Sequence, residues 1–225
     1  MILKTPAIVI NFKIYKEVVG AKGLELARIC EAVASETDAS IAIAPQMVDL
    51  GFIAEKVSIP VFAQHIDTGT AGAFTGFTSV EAVAGSGAVG TLINHSEHRI
   101  KISEIDELVQ VCKKQSLITI LCTNNLEVSS ACAMLKPDFI AIEPPELIGG
   151  DISVTTADPD IVKNTVTEIK NLAPEVKVLT GAGIKTSEDV AKAIELGTDG
   201  VLLASGIVKA EDPRKALMDL VAGLK

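Results

Sequence analysis

Glu143 closes a short apolar run, Phe139-Ile140-Ala141-Ile142, and is followed at once by Pro144-Pro145 and then by the pair Gly149-Gly150. A strand whose last residue is glutamate aims a carboxylate at the end of a sheet. The two prolines fix φ and stiffen the exit. The glycine pair suits a hinge or an anion-binding nest. Taken alone, the stretch fits an ordinary strand-to-helix connection equally well. Other polar residues stand in the same kind of position. Asn11 and Lys13, Gln64-His65, Asn94-His95-Ser96-Glu97, Thr180-Gly181-Ala182-Gly183 and Ala204-Ser205-Gly206 each follow an apolar run. Lys13 by itself reads as a solvated cation, and His95 by itself as a satisfied core histidine. The joint placement carries the signal.

A carboxylate opposite a neutral imidazole suits proton abstraction beside a carbonyl. Glycine-rich turns at helix N-termini suit a phosphate dianion. The implied substrate is a small phosphorylated carbonyl compound. Three histidines and the absence of a metal-ligand cluster or a Ser/His/Asp elbow point to chemistry that needs neither metal nor cofactor.

The elements that must position these groups are short β-branched runs at 7–11, 40–44, 60–64, 90–93, 118–122, 139–142, 176–180 and 200–203. They are continuously apolar, as expected for strands covered on both faces. Amphipathic stripes lie between them, such as Leu26, Ile29, Cys30 and Val33, or Ile105, Leu108, Val109 and Cys112, or Leu217, Leu220, Val221 and Leu224. Thr78-x-x-Glu81, Ser103-x-x-Asp106 and Thr186-x-x-Asp189 read as capping boxes or their Asp variants. Eight β-then-α units without a linker predict a single α/β domain over 1–225, a closed (β/α)₈ barrel of eight parallel strands with outer helices. An open doubly wound sheet would carry a G-x-G-x-x-G turn after its first strand, where this chain has Asn11-Phe12-Lys13.

The chain is 48% hydrophobic with a net charge of -9 and only 20 Lys+Arg, which argues against nucleic acid as a partner. No apolar run reaches transmembrane length, so no membrane partner is expected. The first residues lack a signal-peptide layout. Cys30, Cys112, Cys122 and Cys132 show no C-x-x-C spacing and read as reduced core residues of a cytoplasmic protein.

Asn11-Phe12-Lys13, Ala73-Phe74-Thr75-Gly76, Asn94-His95-Ser96-Glu97-His98-Arg99, Ala141-Ile142-Glu143-Pro144-Pro145 and Leu147-Ile148-Gly149-Gly150 together resemble triosephosphate isomerase over nearly the whole chain, in its compact archaeal branch. The resemblance implies a TIM barrel that interconverts D-glyceraldehyde 3-phosphate and dihydroxyacetone phosphate, in glycolysis and gluconeogenesis. It implies Glu143 as the proton carrier, His95 as a neutral electrophile and Lys13 as the positive charge, the pairing of tuned groups for which this enzyme is a standard illustration. Asn11, Phe12 and Lys13 would bind substrate. Ile148, Gly183, Ala204 and Ser205 would hold the phosphate, Glu97 and Ser96 would stand behind the reacting groups, and loop 144–150 would close as a lid. It also implies a homo-oligomer, tetramer favoured over dimer, with loop 70–76 inserted beside a neighbour's site. The chain departs from the common pattern at Cys122-Thr123-Asn124-Asn125, at Thr180-Gly181-Ala182-Gly183 and at His98, where Arg is common. A helix terminus is worth roughly 0.3–1 kcal/mol, about half a pKa unit, so burial and amides of Ser96 and Glu97 donated to the ring must do more to keep His95 neutral. Two rivals remain at this point: another phosphate-binding barrel enzyme acting on a larger sugar phosphate, and a silent barrel used as a scaffold.

Overall fold

The computed structural model describes residues 3–69, 72–144 and 153–224. Strands and helices alternate along the chain. The first half runs β1 (Ala7–Asn11), α1 (Ala21–Thr37), β2 (Ser40–Ala44), α2 (Leu50–Ala54), β3 (Phe62–Ala63), α3 (Val80–Gly85), β4 (Gly90–Ile93) and α4 (Ile102–Lys114). The second runs β5 (Ile118–Thr123), α5 (Leu126–Ala133), β6 (Phe139–Ile142), α6 (Val154–Ala157), α7 (Pro159–Leu172), β7 (Lys177–Thr180), α8 (Ser187–Glu195), β8 (Gly200–Leu203), α9 (Ser205–Val208) and α10 (Pro213–Ala222).

All eight strands are parallel, in the order β2-β1-β8-β7-β6-β5-β4-β3. A bridge from Ile43 to Val61, with the Ile43 N–H on the Pro60 carbonyl at 3.0 Å, brings the two outer strands of that order together and makes a nearly closed barrel. β3 is shorter than expected; at its start Pro60 has no N–H to give to a ladder.

The pleat explains the continuous apolar runs. Ala7 and Val9 join Leu92, Ile120, Phe139, Leu179 and Leu202 inside the barrel, while Ile8, Ile10, Ile140 and Val178 pack outward against the helices. The stripes of α4 and α10 face this outer layer, as their spacing requires. A side chain at Gly90 would meet the Ile118 carbonyl and the Phe62 ring, so β4 and β5 approach closely only because this position is bare.

Of the three expected caps, Thr186–Asp189 forms as a reciprocal box. The other two shift by a residue or two. Ser79, not Thr78, caps α3, because both backbone groups of Thr78 are already bonded to Asp67. Ser103 lies inside α4, and Glu104 reaches back to the Lys101 N–H at 2.7 Å.

Candidate active site

Strand ends deliver each polar group of the barrel mouth, and alternation decides which ones arrive. Val9 faces inward, and so does Asn11 two residues on. Asn11 Oδ1 accepts the Lys13 N–H at 2.9 Å. That bond supports Lys13 at φ +48°, a left-handed conformation that costs an L-residue about 1–2 kcal/mol. The Lys13 ammonium donates to Glu97 Oε1 at 2.9 Å. Phe12, expected at the substrate, has its side chain fully buried in the layer beneath the helices, because the residue after an inward Asn11 faces outward.

β4 hands over through Asn94, at φ +59°, a region asparagine enters more readily than most residues. Its Nδ2 donates to the Cys122 carbonyl at 3.0 Å, and its Oδ1 accepts the Ile100 N–H at 3.1 Å. A turn follows, closed by the His98 N–H on the His95 carbonyl at 2.8 Å. Inside it, His95 Nδ1 accepts the Glu97 N–H at 3.2 Å. Nδ1 therefore carries no proton, although Glu97 Oε2 is 3.5 Å away. The one ring hydrogen of the neutral imidazole sits on Nε2, 3.6 Å from Glu143 Oε2. Burial, and then the Lys13 charge, push the ring pKa down to about 4. No helix begins here, since α4 starts only at Ile102, so a single amide takes the place of the expected helix terminus. Ring-nitrogen NMR at pH 7 is expected to show the Nε2–H tautomer; an imidazolium there would overturn this assignment.

Glu143 is held at its base by its own N–H on the Thr123 carbonyl at 2.8 Å. Glu143 is 5% exposed, and its Oε2 has no hydrogen-bond partner among the described residues. Burial pushes the pKa up to about 7, against the Cys122 thiol hydrogen bond and the charges of Lys13 and Arg99. Cys122 faces Glu143 because it pairs with Ala141 across β5 and β6, on the interior side. Burial holds its thiol far above the usual range, so it remains protonated beside the carboxylate. The spacing of the four cysteines gave no hint of this contact; only the strand register picks it out.

Asn11, Lys13, His95 and Glu143 line one cavity together with Gly183, Lys185, Ala204 and Ser205. Tyr15 and Lys185 join this wall without having been singled out by sequence. Gly183 has φ +69°, which favours glycine. α9 opens at Ser205, so its first-turn N–H groups lack acceptors within the helix. Ser96 is half-buried in the turn and lies outside this lining. Ile148 and the rest of the expected lid from 145 onward fall outside the described residues. Among the described residues no cluster of His, Cys, Asp or Glu could hold a metal ion, and no helix is long and apolar enough to cross a membrane.

A sequence profile of triosephosphate isomerase matches residues 6–223. The chain belongs to the triosephosphate isomerase family. It is 54% identical to the triosephosphate isomerase of Methanobacterium bryantii over 221 residues, 98% of each chain. It is 51% identical to that of Methanothermus fervidus over 216 residues, 96% of this chain and 97% of the relative. It is 50% identical to that of Methanocaldococcus jannaschii over 214 residues, 95% and 98%. These relatives are archaeal, in agreement with the branch that the motifs resemble. Triosephosphate isomerases interconvert triose phosphates, and this chain is an isomerase of that kind.

Proposed function

We propose that Glu143, His95 and Lys13 carry the interconversion of D-glyceraldehyde 3-phosphate and dihydroxyacetone phosphate in this chain. The observation that supports it most is the unpartnered, buried Glu143 carboxylate oxygen 3.6 Å from a ring nitrogen that must bear the hydrogen. Glu143 takes a proton from the carbon beside the carbonyl, and the electron pair moves to the carbonyl oxygen, where His95 Nε2–H supplies the hydrogen bond and proton. The enediolate collapses by the reverse steps on the neighbouring carbon, with Glu143 returning the proton there. Lys13 offsets the negative charge that develops. Backbone groups at Ile148, Gly183, Ala204 and Ser205 hold the phosphate, and loop 144–150 covers it. The reaction serves glycolysis and gluconeogenesis in the cytoplasm.

The same reading makes the protein a homo-oligomer, a tetramer rather than a dimer. Ile14 and Val48 are 83% and 84% exposed, and Phe74 and Phe77 are about half exposed. Ile14 lines a groove with Met47, Gly76 and His98 next to the cavity. Ile102 exposes a second apolar stretch beside Ile105, Val128 and Ala131. Such patches support contacts between copies. Sedimentation velocity is expected to give a particle of four chains; a monomer would remove this part of the reading.

A coupled assay starting from glyceraldehyde 3-phosphate tests the reaction. Turnover that disappears in Glu143→Gln supports it. A folded, oligomeric wild type without turnover would favour a different phosphate-binding barrel enzyme or a silent scaffold.

A further inference from the structure

The segment leaving β3 grips the site from behind at two points. Gln64 Nε2 donates to the Lys13 carbonyl at 2.9 Å and to the Ala44 carbonyl at 3.0 Å. The next residue, His65, stacks on His98, with ring centroids 3.9 Å apart and planes 22° from parallel. His65 Nε2 lies 3.2 Å from Asp67 Oδ1. Asp67 is itself fixed, since its Oδ2 accepts the Thr78 N–H at 2.7 Å and its N–H donates to the Thr78 carbonyl at 3.0 Å. The stack therefore joins an anchored loop to the turn that presents His95.

We infer that His65 and His98 are positioning residues for His95, holding the turn in the geometry that brings the Glu97 N–H onto His95 Nδ1. The inference rests on the role proposed for His95. One end of the turn is secured by Asn94, whose carbonyl accepts from Arg99 Nη1 and whose side chain bonds Cys122 and Ile100. The other end is His98, which is exposed in the single chain, lines the groove proposed above to meet another copy, and is tied to its own chain by its N–H and the His65 ring. Burial lowers the pKa of His65, with the Asp67 hydrogen bond working against it. Glu97 and Lys13 are the other charged groups lining the adjoining groove.

The consequence is chemical. Glu97 Oε2 already lies 3.5 Å from His95 Nδ1. If the turn loosens and the Glu97 N–H withdraws, the ring can take the Nδ1–H tautomer and donate to that carboxylate. Nε2 is then bare and has no hydrogen for the substrate oxygen. The loss falls on the transition state more than on ground-state binding, so it appears in kcat.

Removing the stacked ring with His98→Ala is expected to lower kcat about tenfold at nearly constant KM, within the range that small misplacements produce. Ring-nitrogen NMR of His95 in that variant should show the Nδ1–H tautomer gaining population. His98→Phe, which keeps a ring over His65, should restore most of the turnover and the Nε2–H tautomer. An unchanged His95 spectrum in His98→Ala would overturn the inference, and so would a Phe variant as impaired as the Ala variant. The two readings fail separately. A wild type without isomerase activity would remove the proposed reaction, while the His95 spectra would still decide what the stack does.

Discussion

Replacing Glu143 by Gln is expected to lower kcat by about 10³- to 10⁴-fold, the upper part of the range for loss of a positioned base. The carboxamide has the shape of the carboxylate but cannot accept the carbon-bound proton. Lys13, Asn11 and the phosphate loops are untouched by the change, so affinity for a phosphorylated ligand should persist. That combination separates a lost chemical step from a lost site: it is measured by steady-state kinetics together with titration of an unreactive triose phosphate analogue. Turnover within tenfold of wild type would mean that another group carries the proton. In the wild type the base works only when ionised, and its pKa is held up to about 7 by burial. kcat/KM should therefore fall on the acid side of about pH 7, well above the range of an ordinary carboxylate.

The same substitution is expected to stabilise the protein, which a purely structural glutamate would not allow. The folded pKa of Glu143 stands above the unfolded value of 4.5, so the ionised form is the destabilised one. The cost is absent below pH 4.5, grows as pH rises towards 7 and is complete above it, reaching about 3 kcal/mol. His95 runs the other way. Its folded pKa lies below 6.5, at about 4, so its contribution is present above 6.5 and fades as pH falls towards 4. The two slopes oppose each other between pH 4.5 and 6.5, which flattens the wild-type profile there. In Glu143→Gln only the His95 slope remains. The gap in denaturation midpoint between variant and wild type should therefore open as pH rises and be largest near pH 8. A variant less stable than wild type at pH 8 would contradict the placement of an unpaired charge at this position.

Much of this site could be read from the sequence because the chemistry sits at strand ends, and strand ends are marked by the break from apolar to polar residues. Asn11, Lys13, His95, Glu143, Gly183, Ala204 and Ser205 share one cavity for that reason. Where the structure adds to that reading, the cause is the pleat of a strand or a contact that the local sequence does not show. Phe12 sits next to two polar residues that point into the mouth, and only the pleat sends it the other way. Thr78 and Ser79 are equally good caps as local sequence, and Asp67, eleven residues back, decides between them. Cys122 looks like any other buried cysteine until β5 and β6 are laid in register. The His65–His98 stack joins two strand exits whose residues were noted separately, and nothing in either exit foretells the other.

Gly181 gives the second large effect, on activity and stability together. It follows β7, and its N–H donates to the Ile142 carbonyl at 3.1 Å, one residue before Glu143. A methyl group here would collide with the Leu202 carbonyl oxygen, which is backbone and cannot swing aside. It would also stand 3.1 Å from both Leu202 Cβ and Glu143 Oε1. Gly181→Ala must therefore push β8 away or push the carboxylate across the cavity. Overpacking of this kind costs about 1–3 kcal/mol, and a displacement of the base by about 1 Å can cost on the order of 10²-fold in rate. Both losses are expected, with kcat falling about 100-fold and the denaturation midpoint dropping by several degrees. Gly85→Ala is the control without a clash, since nothing lies within 4 Å of its added methyl at the end of α3; alanine is favoured over glycine in a helix by about 0.5–1 kcal/mol, so turnover should stay unchanged and the midpoint should not fall. If Gly181→Ala kept wild-type turnover while losing stability, the barrel would be absorbing the methyl through β8 alone. The carboxylate would then not be held by the narrow fit between the ends of β6 and β7 that the structure shows.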